Sequence, residues 1–440
     1  MNGRAAMQYR YYLLGLLTLI ASLNFLDRTV LSLLLEPIKQ DLDLSDSQLG
    51  FLTGFAFASF YAIAGIPLAR WSDRGNRNTI IFLTTGLWSA LVSLSGFVTS
   101  FTQLLLVRVG VAVGEAGTMP AAQSIIADYF KRDERPRAMA IYWMCNPLSV
   151  ILGFMGGGLL AQHFGWRITF MAIGIPGVLI AILAKLTLRE PRLQSISSTK
   201  SHIPVVAQPT FMEVLHTLWQ HPSFRHLLVA FCLGFFFIVG SAVWIPSFFR
   251  RIHGLEIDVL GAWLALAYGA GGLLGASLGG YCFTRFAAGR EGLQFRTTAL
   301  FYVICALIYA AVYFSSHYMA LALIGIAEIF FSMCLGVIYS GIQSLSNDRM
   351  RSVTIALMFL MANLIGLGCG PMLVGVLSDA LASRYGDDSL RYALLLMAPG
   401  FAWTGFHLWK TGSTIEADIA RVDAQSTAAL LAEAQSKGGH

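Results

Sequence analysis

The chain has 440 residues, 56% of them apolar and 12% charged, with a mean hydropathy of +0.65 and a formal net charge of +6. An ordinary soluble domain carries about 25% charged residues, so a string of soluble domains is excluded. Nucleic acid is also excluded as the reason for the basic excess, because Lys and Arg sit in short gaps between apolar runs rather than on one soluble face.

Stretches of about 20 apolar residues, enough to span a bilayer, predict twelve helices. They lie near Tyr11 to Leu35, Gln48 to Ala69, Asn78 to Val98, Thr102 to Ala127, Ala138 to Ala161 and Ile168 to Leu188. After a polar break come Phe224 to Phe248, Val259 to Phe283, Thr297 to Ser315, Tyr318 to Gln343, Val353 to Leu381 and Arg391 to Trp409. The first run extends beyond a signal-peptide h-region and lacks a small-residue cleavage site, so it is read as a retained helix. The break, with Pro191, Ser195, Ser197, Ser198 and Pro204, divides the chain in two. The expectation is an all-α membrane protein of two pseudo-symmetric six-helix bundles: residues 1–190, a cytoplasmic linker at 191–222, residues 223–410, and a cytoplasmic tail at 411–440. Cys145, Cys232, Cys282, Cys305, Cys334 and Cys369 all fall inside apolar runs without a Cys-x-x-Cys pair, which supports neither a disulfide framework nor a metal site.

Alternating the connections from side to side places 22 of the 30 Lys and Arg residues on the side of the termini. Lys39, Arg167, Arg250, Arg251, Arg384 and Arg391 fall on the other side, and Arg28 and Arg108 lie inside helices. By the positive-inside rule both termini are cytoplasmic. One connection on that side reads Pro67-Leu68-Ala69-Arg70-Trp71-Ser72-Asp73-Arg74-Gly75-Asn76-Arg77-Asn78, and Asp128 closes the fourth helix on the same side. Beyond marking topology, Arg74 or Arg77 with Asp128 would form a cytoplasmic latch between the halves, and Asp73 would cap a helix N-terminus.

Glycines spaced in fours, as at Gly110/Gly114, Gly153/Gly157, Gly271/Gly275/Gly279 and Gly366/Gly370, mark close helix packing. They form no nucleotide loop, since the lysine and hydroxyl of that motif are missing. Five ionisable residues lie well inside helices: Asp27, Arg28, Arg108, Glu115 and Glu328. A charge at the bilayer centre costs on the order of 3 kcal/mol, so such residues face the interior and commonly have a task. Arg108 and Glu115, seven residues apart, share a face about 10 Å apart along the axis. With the first helix running outward and the fourth inward, Asp27, Arg108 and Glu115 form a charge ladder suited to passing a proton. Arg28, turned about 100° from Asp27, meets a different neighbour. Glu328 is surrounded by Phe330, Phe331, Met333 and Tyr339. A cavity lined by Glu328, Phe331 and Tyr339 would set a greasy wall opposite a charged one and suit an amphipathic substrate.

The Asp73-Arg74-x-Asn76-Arg77 loop resembles the signature loop of the major facilitator superfamily, as does Arg108-x-Gly110-x-x-x-Gly114-Glu115-Ala116. The Gly165-Trp166-Arg167 turn and Gly366-x-Gly368-x-Gly370-Pro371 extend the resemblance over essentially the whole chain. Asn24-Phe25-Leu26-Asp27-Arg28 and Gly114-Glu115-Ala116 are similar to the Spinster branch. That resemblance implies export of sphingolipids or lysophospholipids, protons as the coupling ion with no other cofactor, and a monomer in the cell (inner) membrane. In the corresponding loop of the second half, Thr284 stands where an acid is expected, which leaves a second latch without its acid. A drug or small organic-anion carrier of the same superfamily is the alternative. An intramembrane enzyme would need a nucleophile or metal set; no H-E-x-x-H occurs, and the nine histidines form no cluster in the sequence. A receptor or scaffold would not need acids and arginines buried in two helices.

Overall fold

In the computed structural model, every regular element among the described residues is a helix. Described are residues 3–191, 211–346 and 350–438, of which 3–6, 73, 74, 211, 352 and 425–438 are described in backbone only. The linker expected at 191–222 lies for the most part outside them. Among the described residues, ten helices are long and apolar enough to cross a membrane. The first five are α1 (Met7–Leu42), α2 (Asp46–Ser72), α3 (Arg77–Phe97), α4 (Phe101–Tyr129) and α5 (Arg135–Thr187). A short helix, α6 (Phe211–Trp219), precedes α7 (Pro222–His253), α8 (Ile257–Phe286), α9 (Glu291–Val312), α10 (His317–Ser344) and α11 (Val353–Ala424).

Twelve expected helices thus become ten runs, because two pairs are joined end to end. The 53 residues of α5 pass through Gly165 at φ 76°, and the 72 of α11 through Gly386 at φ 55°. A side chain at either φ would strain the backbone. The tail expected at 411–440 continues α11 as helix to Gly438. Polar caps start three of the early helices. Ser45 and Gln48 form a reciprocal capping box at α2, Asn76 caps α3 and Ser100 caps α4. Four helices contain a π turn: Leu52–Ala56 in α2, Leu152–Gly156 in α5, Ala265–Ala270 in α8 and Ala362–Gly368 in α11.

The compact units differ from the expected succession of halves. The first contains residues 1–201 together with 240–269 and 368–393; the second contains 202–239, 270–367 and 394–440. The reason is close packing of later helices against early ones. A Cβ at Gly158 of α5 would lie 2.8 Å from the Ile257 carbonyl of α8, and one at Gly50 of α2 would lie 2.5 Å from that of Pro371 in α11. The first unit has a core of Leu14, Ile20, Ile80, Ile125, Tyr142 and Ala184, drawn from α1, α3, α4 and α5. A Cβ on Gly114 of α4 would meet Trp88 Cβ of α3 at 2.8 Å, so the glycine there permits the contact. In the second unit Tyr302, Tyr309, Phe331 and Phe401 pack ring on ring. Large apolar side chains cover the outside, among them Ile63, Leu106, Leu186 and Leu307 at 66–78% exposure. Water would not tolerate such a surface, and lipid does.

Candidate functional site

Four of the five expected intrahelical charges come together between α1 and α4, in a pattern that the sequence reading did not foresee. Arg108 donates to Asp27 at 2.6 Å, with both side chains at most 3% exposed. Arg28 donates to Glu115 from Nε and Nη2 at 2.9 and 2.5 Å. The expected ladder, in which Arg108 serves both acids, is therefore corrected to two separate pairs. Side-chain direction explains the crossing. On a helix the Cα–Cβ bond tilts toward the N-terminus, so Arg28 on α1 leans back toward Glu115. Arg108 on the antiparallel α4 leans the opposite way, toward Asp27.

Phe57 of α2 stands between the pairs, with the guanidinium carbons of Arg28 and Arg108 at 4.5 and 5.2 Å from its ring centroid. Cation–π attraction of this kind holds both arginines against one ring while excluding water. Asp27 Oδ1, Glu115 Oε1 and Arg108 Nε are buried without a hydrogen-bond partner. Two carboxylates and two guanidiniums sum to zero charge, which is how such a set is tolerated in a membrane interior. Any proton added to one acid leaves a net positive charge and an arginine short of its partner.

Of the expected cytoplasmic latch, the Arg77–Asp128 pair forms, but within one unit. Arg77, fully buried, pairs with Asp128 at 2.6 Å, and it also pairs with Glu190, which accepts the Arg77 backbone N–H at 2.8 Å. Ser124 accepts a further bond from Arg77 at 2.9 Å. All of these groups belong to the first unit, so this cluster ties the ends of α3, α4 and α5 to each other rather than one half to the other. The side chains of Asp73 and Arg74 lie outside the described residues, and the cap expected of Asp73 is supplied to α3 by Asn76.

In the second unit Glu328 is half-buried and accepts from Ser332 at 3.0 Å. Phe331, expected to line the cavity, is 4% exposed and packs on Tyr302, Phe401 and Tyr309, so it is a core residue. It lies about 60° around the helix from Glu328, which turns it inward. Tyr339 stands about 20° from Glu328 on the same face, three turns on, and its half-exposed ring rests on Phe359 and Phe231.

A second charged cluster escaped the sequence reading. Arg251 of α7 donates to Glu36 of α1 at 2.6 Å and, with both terminal nitrogens, to Asp46 of α2 at 2.6 Å. Asp46 also accepts from Lys39 at 2.7 Å and from Ser378 of α11 at 2.6 Å. Asp379 accepts the first backbone N–H groups of α2, those of Asp46 and Ser47, at 3.1 and 2.7 Å. Four helices are thus clasped at one end, beneath a charged recess of about 620 Å³ that Arg250 and Asp387 also line. Its one sequence signal was the adjacent Arg250 and Arg251 on the arginine-poor side.

Residues 17–371 match the family model of the Major Facilitator Superfamily. The chain belongs to that superfamily, whose members are membrane transporters rather than enzymes. Within it the chain is Spinster-like. It is 31% identical to a bacterial homologue of the human lysosomal transporter Spinster, whose crystal structure is inward-facing and unoccupied. That alignment covers 93% of this chain and 98% of the other, with a TM-score of 0.81. Human protein spinster homolog 1 is 27% identical over 95% of this chain and 83% of its own. An MFS-type efflux pump of Mycolicibacterium smegmatis is 32% identical over 92% of this chain and 93% of its own.

Proposed function

We propose that the protein is a proton-coupled secondary transporter that works by alternating access on an amphipathic substrate, a sphingolipid or lysophospholipid with a polar head and an acyl chain. The observation that carries this is the pair of buried ion pairs, Asp27–Arg108 and Glu115–Arg28, divided by Phe57. Protonating either acid releases an arginine inside the bundle, where removing one partner of a buried pair shifts an equilibrium by about 3–5 kcal/mol. A shift of that size is enough to bias one conformation over another.

The layout follows from helix length. At 1.5 Å per residue, the 53 residues of α5 would span about 80 Å against a hydrocarbon core of about 30 Å, so α5 folds back at Gly165 and α11 at Gly386. The count is then twelve crossings in two bundles, with both termini cytoplasmic in the cell (inner) membrane, functioning as a monomer. The clasp around Arg251 and Asp46 is the outer gate, and it must open for substrate to reach the far side. Glu328 and Tyr339 face the substrate path in the second half, with Glu328 suited to a cationic group on the head.

One observation favours a second reading. The relative named an efflux pump is 32% identical over nearly the whole chain, and this suits export of drugs or small organic anions. Proteoliposomes under an imposed pH gradient separate the two. Lysolipid flux driven by the gradient, with hydrophilic anions unmoved, is the expected result. Anion flux without lysolipid flux would replace the lipid reading, and flux indifferent to the gradient would remove the proton.

A further inference from the structure

Three cations, near the starts of α7 and α9 and past Gly386 in α11, take no part in the mechanism above. Arg225 of α7, Arg296 of α9 and Lys410 of α11 are exposed, and among the described residues none of them is in an ion pair. Helix contacts gather them. His226, next to Arg225, meets His407 with the two Nδ1 atoms 3.0 Å apart, and Lys410 follows His407 by one turn. The Arg296 guanidinium carbon is 5.7 Å from the ring centroid of Trp409, the neighbour of Lys410.

The nearby acids are turned elsewhere. Glu416 accepts the backbone N–H of Gly292 and Asp418 that of Ser223, each at 3.0 Å. Beside the cations, α11 presents Trp403, Phe406 and Trp409, all more than half exposed. Tryptophan at the end of a spanning helix marks the head-group level. Lys410 Nζ lies 5.7 Å from the Phe406 ring, so positive charge and apolar surface meet along one edge of this face.

We propose that this face of α7, α9 and α11 binds one anionic phospholipid, with the phosphodiester among Arg225, Arg296 and Lys410 and an acyl chain along Phe406, Trp403 and Leu396. Charge complementarity argues for this occupant. A zwitterionic head group would bring a positive charge among three exposed cations, and a soluble anion would leave the aromatic surface unused. The lipid comes from the cytoplasmic leaflet, an assignment that rests on the orientation proposed above; the binding itself does not.

The test uses the whole chain in nanodiscs of equal parts phosphatidylglycerol and phosphatidylcholine, with native mass spectrometry reading the retained lipid. Because both faces of a nanodisc are open, retention reports the site and not the orientation. The wild type is expected to retain phosphatidylglycerol selectively. R225Q/R296Q/K410Q should lose about five-fold in preference per cation, of the order of a hundred-fold in all. K131Q/R132Q/R137Q, which removes as many charges from the loop after α4 and the first turn of α5, should keep the preference. No selectivity in the wild type, or equal loss in both triple variants, overturns the proposal. Should the first variant fail to fold, ionic strength decides with the wild type: selectivity that collapses with salt supports the site, and selectivity indifferent to salt overturns it. Orientation is read separately by labelling Ser413→Cys with an impermeant thiol reagent in cells, so a reversed topology would change the leaflet and leave the site standing.

Discussion

Replacing Asp46 by Asn should unlock the clasp that joins α1, α2, α7 and α11. Asp46 is 1% exposed, and its two oxygens accept from Lys39, from both terminal nitrogens of Arg251 and from Ser378. Asparagine keeps the shape but removes the charge and offers an N–H where an acceptor is needed. Arg251, only 10% exposed, would keep Glu36 alone. Removing one member of a buried pair is worth about 3–5 kcal/mol. Taking about 3 kcal/mol, and a factor of ten for every 1.4 kcal/mol, the balance between clasped and open arrangements moves by about two orders of magnitude. Spin labels on cysteines at the exposed positions Asp43 and Ser383, in a background without native cysteines, report the distance across the clasp. The distribution should gain a longer component in Asp46→Asn. Asp41→Asn supplies the contrast. Its pair with Arg167 at 2.6 Å is between side chains 45% and 34% exposed, a setting worth at most about 1 kcal/mol, so it should leave the distribution alone. A folded Asp46→Asn protein with wild-type distances would refute the idea that these charges hold the four helices together.

Three further outcomes follow from the geometry. Asp27→Asn and Glu115→Gln should each abolish gradient-driven flux while the protein still inserts, and Arg108→Lys should impair it, because an ammonium lacks the planar fork of a guanidinium; retained pH-driven flux in the double acid variant would move the proton site to Glu328. A cysteine at Ser198 should resist an impermeant thiol reagent in intact cells while one at Asp43 reacts, and the reverse pattern would invert the topology. The Glu134 carboxyl, outside the spanning helices, is held below its usual range by its hydrogen bonds with Arg10. A depressed carboxylate adds stability that is present above the unfolded value, about 4.3, and is lost as the pH falls through the folded one. Thermal unfolding of wild type and Glu134→Gln should therefore differ at neutral pH and converge in acid. A gap that widened in acid would mean that the carboxyl is not held low by Arg10.

The spanning helices were legible because the bilayer sets their length, and any run long enough and apolar enough announces itself. Asp27, Arg28, Arg108 and Glu115 were legible for the same reason, as charges where none should be. Their pairing was not. It depends on the tilt of each side chain and on how α1 and α4 are rotated about their axes, neither of which spacing along one helix encodes. Phe331 was assigned to a cavity because aromatic residues look alike from either side of a helix, and the 60° that turns it onto Tyr302 and Phe401 is set by packing. The clasp was hidden for a different reason. Glu36, Asp46, Arg251 and Ser378 come from four distant stretches, and each alone reads as an ordinary residue at a helix end. Glu190 falls at the edge of the polar linker, where nothing nearby in sequence points to Arg77.

The π turns recur at regular intervals along the chain. The turn at Leu152 comes 100 residues after the one at Leu52, and that at Ala362 comes 97 after that at Ala265. Each is a helix with one residue too many, and each contains glycine: Gly54, Gly153, Gly269 and Gly366. On the twelve-crossing layout proposed above they fall in the second, fifth, eighth and eleventh, one in every set of three. A bundle built from repeated three-helix segments would carry its wide turn at the same place in each copy.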